Sequence, residues 1–316
     1  MKLALMVDAG CDLPADFLQA NQVLVAPIEI RVRDHLWVDD RSPSTTADFF
    51  RTVFAPNGGA TDAESIPTPV EAFTRLLLDH VVMEHDYAFV ESINRTRSLI
   101  YAHANEAAAQ VQRQALSLRF RAGNKKPFGM RVINSQTLFA GQGALAAETV
   151  KLINSGLEFP KIADRVEELA NHTFAYMVPQ DLRYLYERGS RRGDRSVGLI
   201  SVTLGGMLDV KPIIRGYRGD TTPVAKVRKF EAAVKSMLDT VMREIKLGHL
   251  FANTIVLSYG GPEAEMNAIP AVQEFRAYAA AKGVELLSCH MSMSAAINTG
   301  PRGISVGFIG QPHEFN

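Results

Sequence analysis

Cysteine is scarce in this sequence, and so is any excess of charge. Two cysteines occur among 316 residues, Cys11 and Cys289, far apart and outside any CxxC pair. That spacing speaks against a disulfide framework or a thiolate zinc site and suits a reducing cytoplasm. Lys plus Arg (34) equals Asp plus Glu (34), so the formal net charge is zero. A nucleic-acid binder normally carries a basic excess to meet phosphates. A polybasic membrane anchor needs one too, so neither is expected, and nor is strong electrostatic steering toward a partner. No stretch approaches the ~18 uninterrupted apolar residues of a membrane span. The apolar run at 3–7 breaks at Asp8, too early for the core of a signal peptide. Neither export nor stable membrane insertion is expected.

Several catalytic signatures are missing as well. Gly141-Gln142-Gly143 lacks the third spaced glycine of a dinucleotide fingerprint, and no Walker A lysine pattern occurs. The eight histidines show no HExxH or comparable metal spacing. His80 and His85 flank a helix end and read as surface residues. There is no GxSxG elbow. No catalytic residue, metal ligand or cofactor site is therefore assigned. Met207, Met291 and Met293 read as core filler, although flexible thioethers also suit an acyl chain.

What remains is an α/β pattern long enough for two domains at roughly 100–200 residues each. Strands are expected at 3–7, 23–32 (with Pro27 at a bend or edge), 87–92, 130–133, 174–178, 209–215, 223–227, 254–258, 284–288 and 304–309. Helices are expected from a Thr45 or Thr46 cap to 53, and at 69–81, 98–118, 140–153, 159–171, 181–188, 230–245 and 264–281. Gly/Arg-rich 189–195 reads as loop. Alternating strands and helices imply α/β layers in both halves, divided as 1–165 and 166–316.

Five segments can carry chemistry. Asp8-Ala9-Gly10-Cys11-Asp12-Leu13-Pro14 follows the first strand; it is either a ligand-side loop or a helix start with Asp12 as N-cap. Glu64-Ser65-Ile66-Pro67-Thr68-Pro69 sets hydroxyls before a helix, where they bind an anion or act as plain caps. Asn94-Arg95-Thr96-Arg97-Ser98 is an anion clamp or a solvated basic loop. Gly205-Gly206-Met207-Leu208-Asp209-Val210-Lys211-Pro212, with Lys226-Val227-Arg228, offers close backbone approach and cations, or turn chemistry alone. Asn298-Thr299-Gly300-Pro301-Arg302-Gly303 is a backbone nest or a tight turn.

In order and spacing these segments resemble the DegV family across essentially the whole chain. The family's Asp-Ser-x-x-Asp-Leu-Pro falls on residues 8–14, with Ala9 for Ser, and its Thr-Ser-Gln-Pro-Ser-Pro on 64–69. Its Ile-Ser-Ser-x-Leu-Ser-Gly-Thr-Tyr falls on Ile93-Asn94-Arg95-Thr96-Arg97-Ser98-Leu99-Ile100-Tyr101, and its Val-x-Asp-Ser on Val132-Ile133-Asn134-Ser135. Leu-x-Tyr-Leu-x-x-x-Gly becomes Leu182-Arg183-Tyr184-Leu185-Tyr186-Glu187-Arg188-Gly189. Leu-Gly-x-Leu-Leu-x-Ile-Lys-Pro-Ile spans 204–213, Lys-x-Arg is 226–228, and His-x-Gly-Pro-Gly is 298–302.

The resemblance implies two α/β domains with a long-chain fatty acid in a tunnel between them. It also implies a dihydroxyacetone-kinase-like partner that phosphorylates the presented carboxylate, the carrier itself doing no chemistry. The ligand residues it implies are Ser65, Glu64, Asn94, Arg95, Ser98, Arg228, Asn298 and Thr299. Of these, Ser65, Ser98, Thr299 and Arg228 keep the family's residue type. Glu64 stands for Thr, Asn94-Arg95 for Ser-Ser, and Asn298 for His. A Glu at ~4 Å would repel a carboxylate by ~4 kcal/mol at an effective dielectric near ~20. Either Arg95 is the carboxylate clamp, or Glu64 and Arg95 neutralise each other and the scaffold serves a different polar or anionic ligand, as carrier or enzyme.

Overall fold

The structure, a computed structural model, describes residues 1–192 and 209–315. Its first sheet is parallel, in the order β2 (Leu24–Ala26), β1 (Leu3–Asp8), β6 (Tyr87–Ser92), β7 (Gly129–Asn134). Apolar side chains line both faces of β1 and β6, as a sheet covered by helices on each side requires. Ala4, Met6, Ala88 and Val90 pack with helices α3 (Val70–His80) and α4 (Ile100–Arg121). Leu5, Val7 and Phe89 pack with α5 (Ala140–Asn154) and α6 (Phe159–Ala170).

The largest sheet is mixed and ordered β10 (Asp220–Arg228), β9 (Val210–Tyr217), β8 (Thr173–Val178), β13 (Ile304–Ile309), β11 (Thr254–Tyr259), β12 (Glu285–His290). Helices α8 (Phe230–Leu247) and α10 (Pro270–Ala281) bury Val234, Met237, Val272 and Phe275 with it. Helix α5 touches β13, β11 and β8 of this sheet and β1 of the first. Its Gly/Ala-rich start makes that possible: a Cβ on Gly143 would lie 2.1 Å from the Asp12 carbonyl, and one on Gly307 of β13 would lie 2.0 Å from that of Ala140.

A third, antiparallel sheet orders β4 (His35–Asp39), β3 (Ile28–Val32), β5 (Glu64–Ile66). It shares a buried apolar cluster with α2 (Pro43–Val53) and α11 (Met293–Thr299).

Several expectations need correction. The strand expected at 23–32 is two strands in different sheets, because Pro27 has no N–H to give the ladder. The helix expected at 264–281 is α9 (Glu263–Asn267) followed by α10, broken where Pro270 cannot continue a helix. Helix α2 starts at Pro43 behind Ser42, not at a Thr45 or Thr46 cap, since proline is pre-set for a first helical turn. Pro69 occupies the N-cap position of α3 rather than its first turn. Helix α7 (Leu182–Arg192) runs through Gly189, expected as loop; burial of Leu182, Tyr184, Leu185 and Arg188 outweighs the ~1 kcal/mol cost of one glycine. Residues 193–195 and 205–208 lie outside the described residues.

Candidate functional site

Residues spaced four apart on a helix share a face, and Phe54, which caps the C-terminus of α2, lies one turn on from Phe50. Their rings are 5.4 Å apart, and Phe54 lies 5.9 Å from the Tyr184 ring of α7. Both phenylalanines are half-buried. They adjoin the cluster of Ile30, Val32, Phe49, Met293 and Ile297, and equally the cluster of Leu138, Phe139, Met177 and Met291. The third sheet, α11 and the end of β8 thus meet over one continuous apolar interior.

A polar rim closes one end of it. Arg188 is 4% exposed; it donates to the backbone carbonyl of Ala63, just before β5, and to the Asn298 side-chain oxygen at 3.3 Å. Tyr184 donates its hydroxyl to the Ile297 carbonyl at 2.8 Å. Thr299 ends α11 with its hydroxyl buried and without a hydrogen-bond partner among the described residues. Such a group carries a desolvation cost that a bound acceptor would relieve.

Glu64 and Ser65 lie on β5, opposite Arg31 and Ile30 of β3. The Glu64 carboxylate is 3.9 Å from the Arg31 guanidinium, so Glu64 pairs with Arg31, not with Arg95. Arg188 therefore joins the Glu64–Ser65 and Asn298–Thr299 segments at one rim.

The other expected residues make their contacts elsewhere. Asn94 is buried and donates to the carbonyl of Gly219 at 2.6 Å; the Thr96 hydroxyl donates to the same oxygen at 2.8 Å. Arg97 reaches the Thr221 hydroxyl at 3.2 Å. The segment is a clasp on the β9–β10 turn, where Gly219 needs φ +87°. Arg95 is exposed, with its backbone N–H on the Asn134 side chain. Ser98 accepts from the N–H of Ile100 at the start of α4, and Arg228 is exposed at the end of β10. Thr68 does not cap α3; its hydroxyl donates to the Pro27 carbonyl at 2.5 Å.

The loop after β1 is not a helix cap. Asp8 accepts from the N–H groups of Gly10 (2.9 Å) and Ile93 (2.6 Å) and from Gln142 (3.2 Å), so it ties the ends of β1 and β6 together. Burial pushes its carboxyl up to about 6 against those hydrogen bonds. Asp12 accepts from the Ser258 hydroxyl at 2.6 Å and the Ser292 N–H at 2.8 Å. Asp39 accepts from the N–H and hydroxyl of Ser294, and burial raises it to about 6 as well. Burial, then the charge of Arg41, lower the pKa of His290. Arg41 itself was missed in the sequence; a lone arginine in a loop carries no motif. Arg188 lies inside a quoted motif, but at a position marked only by x. No group of three or more potential metal ligands occurs among the described residues.

Residues 2–311 match the model of the DegV family, whose members are described as uncharacterised. A DegV domain-containing protein from Xanthomonas campestris pv. campestris is 39% identical over 316 residues, covering all of both chains. Among solved structures, a DegV lipid-binding protein from Thermotoga maritima superposes with a TM-score of 0.77 at 15% identity, covering 99% of this chain and 100% of its own. The Streptococcus pneumoniae fatty acid kinase (Fak) B3 protein, loaded with linoleic acid, superposes with a TM-score of 0.72 at 18% identity, covering 98% and 100%. A family match over nearly the full length, a relative identical at more than a third of its positions, and the shared two-domain α/β fold lead to one assignment: this chain belongs to the DegV family.

Proposed function

We propose that this DegV protein is a carrier of a long-chain fatty acid. The acyl chain lies along the apolar interior at Phe50, Phe54, Met291 and Met293, between the two α/β units expected at 1–165 and 166–316. The carboxylate lies at the rim, with Arg188 as its cation and Thr299 and Ser65 as hydroxyl donors. The observation that carries this reading is the buried hydroxyl of Thr299, without a partner among the described residues and one residue from the Arg188–Asn298 contact at the end of an apolar interior. A carboxylate accepts from such donors and gains more per hydrogen bond than a neutral group. The lipid and the linoleic acid named for the two solved relatives support the ligand class. The name of the pneumococcal relative, a fatty acid kinase (Fak) B3 protein, supports a kinase partner, which in this reading is the dihydroxyacetone-kinase-like one that the motif resemblance implies, met in the cytoplasm.

Glu64 favours a second reading, in which the head group is polar but not a carboxylate. The nearby Arg31 offsets Glu64, which keeps the fatty acid first. Native mass spectrometry of the purified protein, with identification of what denaturation releases, tests both. An acyl-sized adduct is expected. A protein that is empty as purified and takes up no fatty acid on titration overturns the carrier reading.

A further inference from the structure

The zero net charge of the chain hides a local imbalance. Residues 107–126 hold five cations (Arg113, Arg119, Arg121, Lys125 and Lys126) and no carboxylate. Arg119 is consumed internally: it is buried, donates to the Val82 and His85 carbonyls, and lies 3.8 Å from Asp86. The other four are exposed, and none forms an ion pair among the described residues. Asp86, whose charge Lys126 feels, is already taken by the Lys2 N–H at 2.9 Å.

Two large apolar side chains stand among these cations. Leu116 is 65% exposed and Phe120 is 66% exposed, which makes them the two most exposed large hydrophobics among the described residues. They are four residues apart on α4, with Arg113 on the same face at three-residue spacing from Leu116. The opposite side of the helix is fully engaged, since Val111, Ala115 and Arg119 are buried. Beyond Arg121 the chain leaves α4 through Gly123, φ +77°; the Asn124 N–H returns to the Arg119 carbonyl at 2.9 Å and the Lys126 N–H bonds the Asn124 side chain at 3.0 Å, which ties the loop carrying both lysines to the end of the helix.

We infer that the C-terminal end of α4 and the loop to Lys126 form a docking surface for an anionic lipid bilayer. Leu116 and Phe120 enter the interface while Arg113, Arg121, Lys125 and Lys126 face the lipid phosphates. A bilayer fits this chemistry because apolar side chains gain by entering the acyl boundary while flanking cations remain at head-group level. Each such cation contributes ~1 kcal/mol near an anionic surface, or ~5-fold in partitioning. The inference stands on this patch and does not depend on what fills the interior.

The test is sedimentation of the full-length protein with vesicles of phosphatidylglycerol and phosphatidylcholine in equal parts. A pure phosphatidylcholine control, a salt series and analytical ultracentrifugation without lipid accompany it. Binding to the anionic vesicles only, weakening with salt, is expected. Leu116→Ser/Phe120→Ser should weaken it by about tenfold or more, and Lys125→Gln/Lys126→Gln by ~10-fold or more. All four positions are exposed, so these variants should fold. Absent binding, or equal binding by wild type and both variants, overturns the inference. Self-association lost in Leu116→Ser/Phe120→Ser overturns it in favour of an interface with a second copy. Acyl loading, read separately by native mass spectrometry, should be unchanged in the variants, which keeps this outcome distinct from that of the carrier reading.

Discussion

The Arg41 guanidinium lies 3.7 Å from the Asp12 carboxylate, with 6% and 0% of the two side chains exposed. Asp12 hangs from the end of β1 and is held by Ser258 of β11 and by Ser292 at the start of α11. Arg41 follows β4 and donates to the carbonyls of Leu13 (3.0 Å) and His290 (2.9 Å). One buried ion pair therefore fastens all three sheets where the apolar interior begins.

Removing one member of such a pair leaves an uncompensated charge in the interior, at a cost of ~3–5 kcal/mol. Arg41→Ala strands both Asp12 and Asp39 and should lower stability by that amount. In urea the midpoint should fall with the slope unchanged. A loss under ~1 kcal/mol would show that the pair does not hold the sheets together.

Glu91 sits near the end of β6, wholly buried, with neither carboxyl oxygen hydrogen-bonded among the described residues. The nearby Thr149 hydroxyl donates to the Leu145 carbonyl instead. Burial pushes Glu91 from 4.5 up to about 8, so it is largely protonated at neutral pH. Between these two values the unfolded chain releases a proton that the folded chain keeps. Stability from this group is complete below pH 4.5 and is lost as pH rises toward about 8, at up to ~1.4 kcal/mol per pH unit. Glu91→Gln should flatten that slope and raise the thermal midpoint near pH 8. Parallel wild-type and variant profiles across the window would refute the assignment.

Thr299→Val removes a buried hydroxyl that has no partner among the described residues. Without ligand the variant should be as stable as wild type or slightly more so, because an orphaned polar group costs rather than contributes. Its affinity for a fatty acid, by calorimetric titration, should fall ~10-fold or more, the loss of one hydrogen bond to a charged group. Arg95→Ala, at an exposed side chain, should change affinity less than ~2-fold. The opposite ranking would return the carboxylate to Arg95.

Most of the framework was legible in the chain, because strands such as β6 and β13 are short apolar runs bounded by polar loops. The breaks at Pro27 and Pro270 were legible in principle, since a missing N–H acts locally. The resemblance in motifs pointed to segments 64–65 and 298–299, more than 230 residues apart; the fold brings their neighbourhoods together through Arg188, and their role toward a ligand is the proposal above. Other features were invisible. Strands β4 and β5 pattern too weakly to stand out, and α11 is buried on nearly every side, so it has no polar face to mark its period. Arg95 looked like the carboxylate clamp because residue type alone does not say where a side chain goes. The Gly219 turn claims its neighbours Asn94 and Thr96 and leaves it in solvent. Arg188 and Arg41 came into view only in three dimensions. A buried cation is placed by distant carbonyl and carboxylate oxygens, and nothing in its local sequence records which oxygens the fold will bring to it.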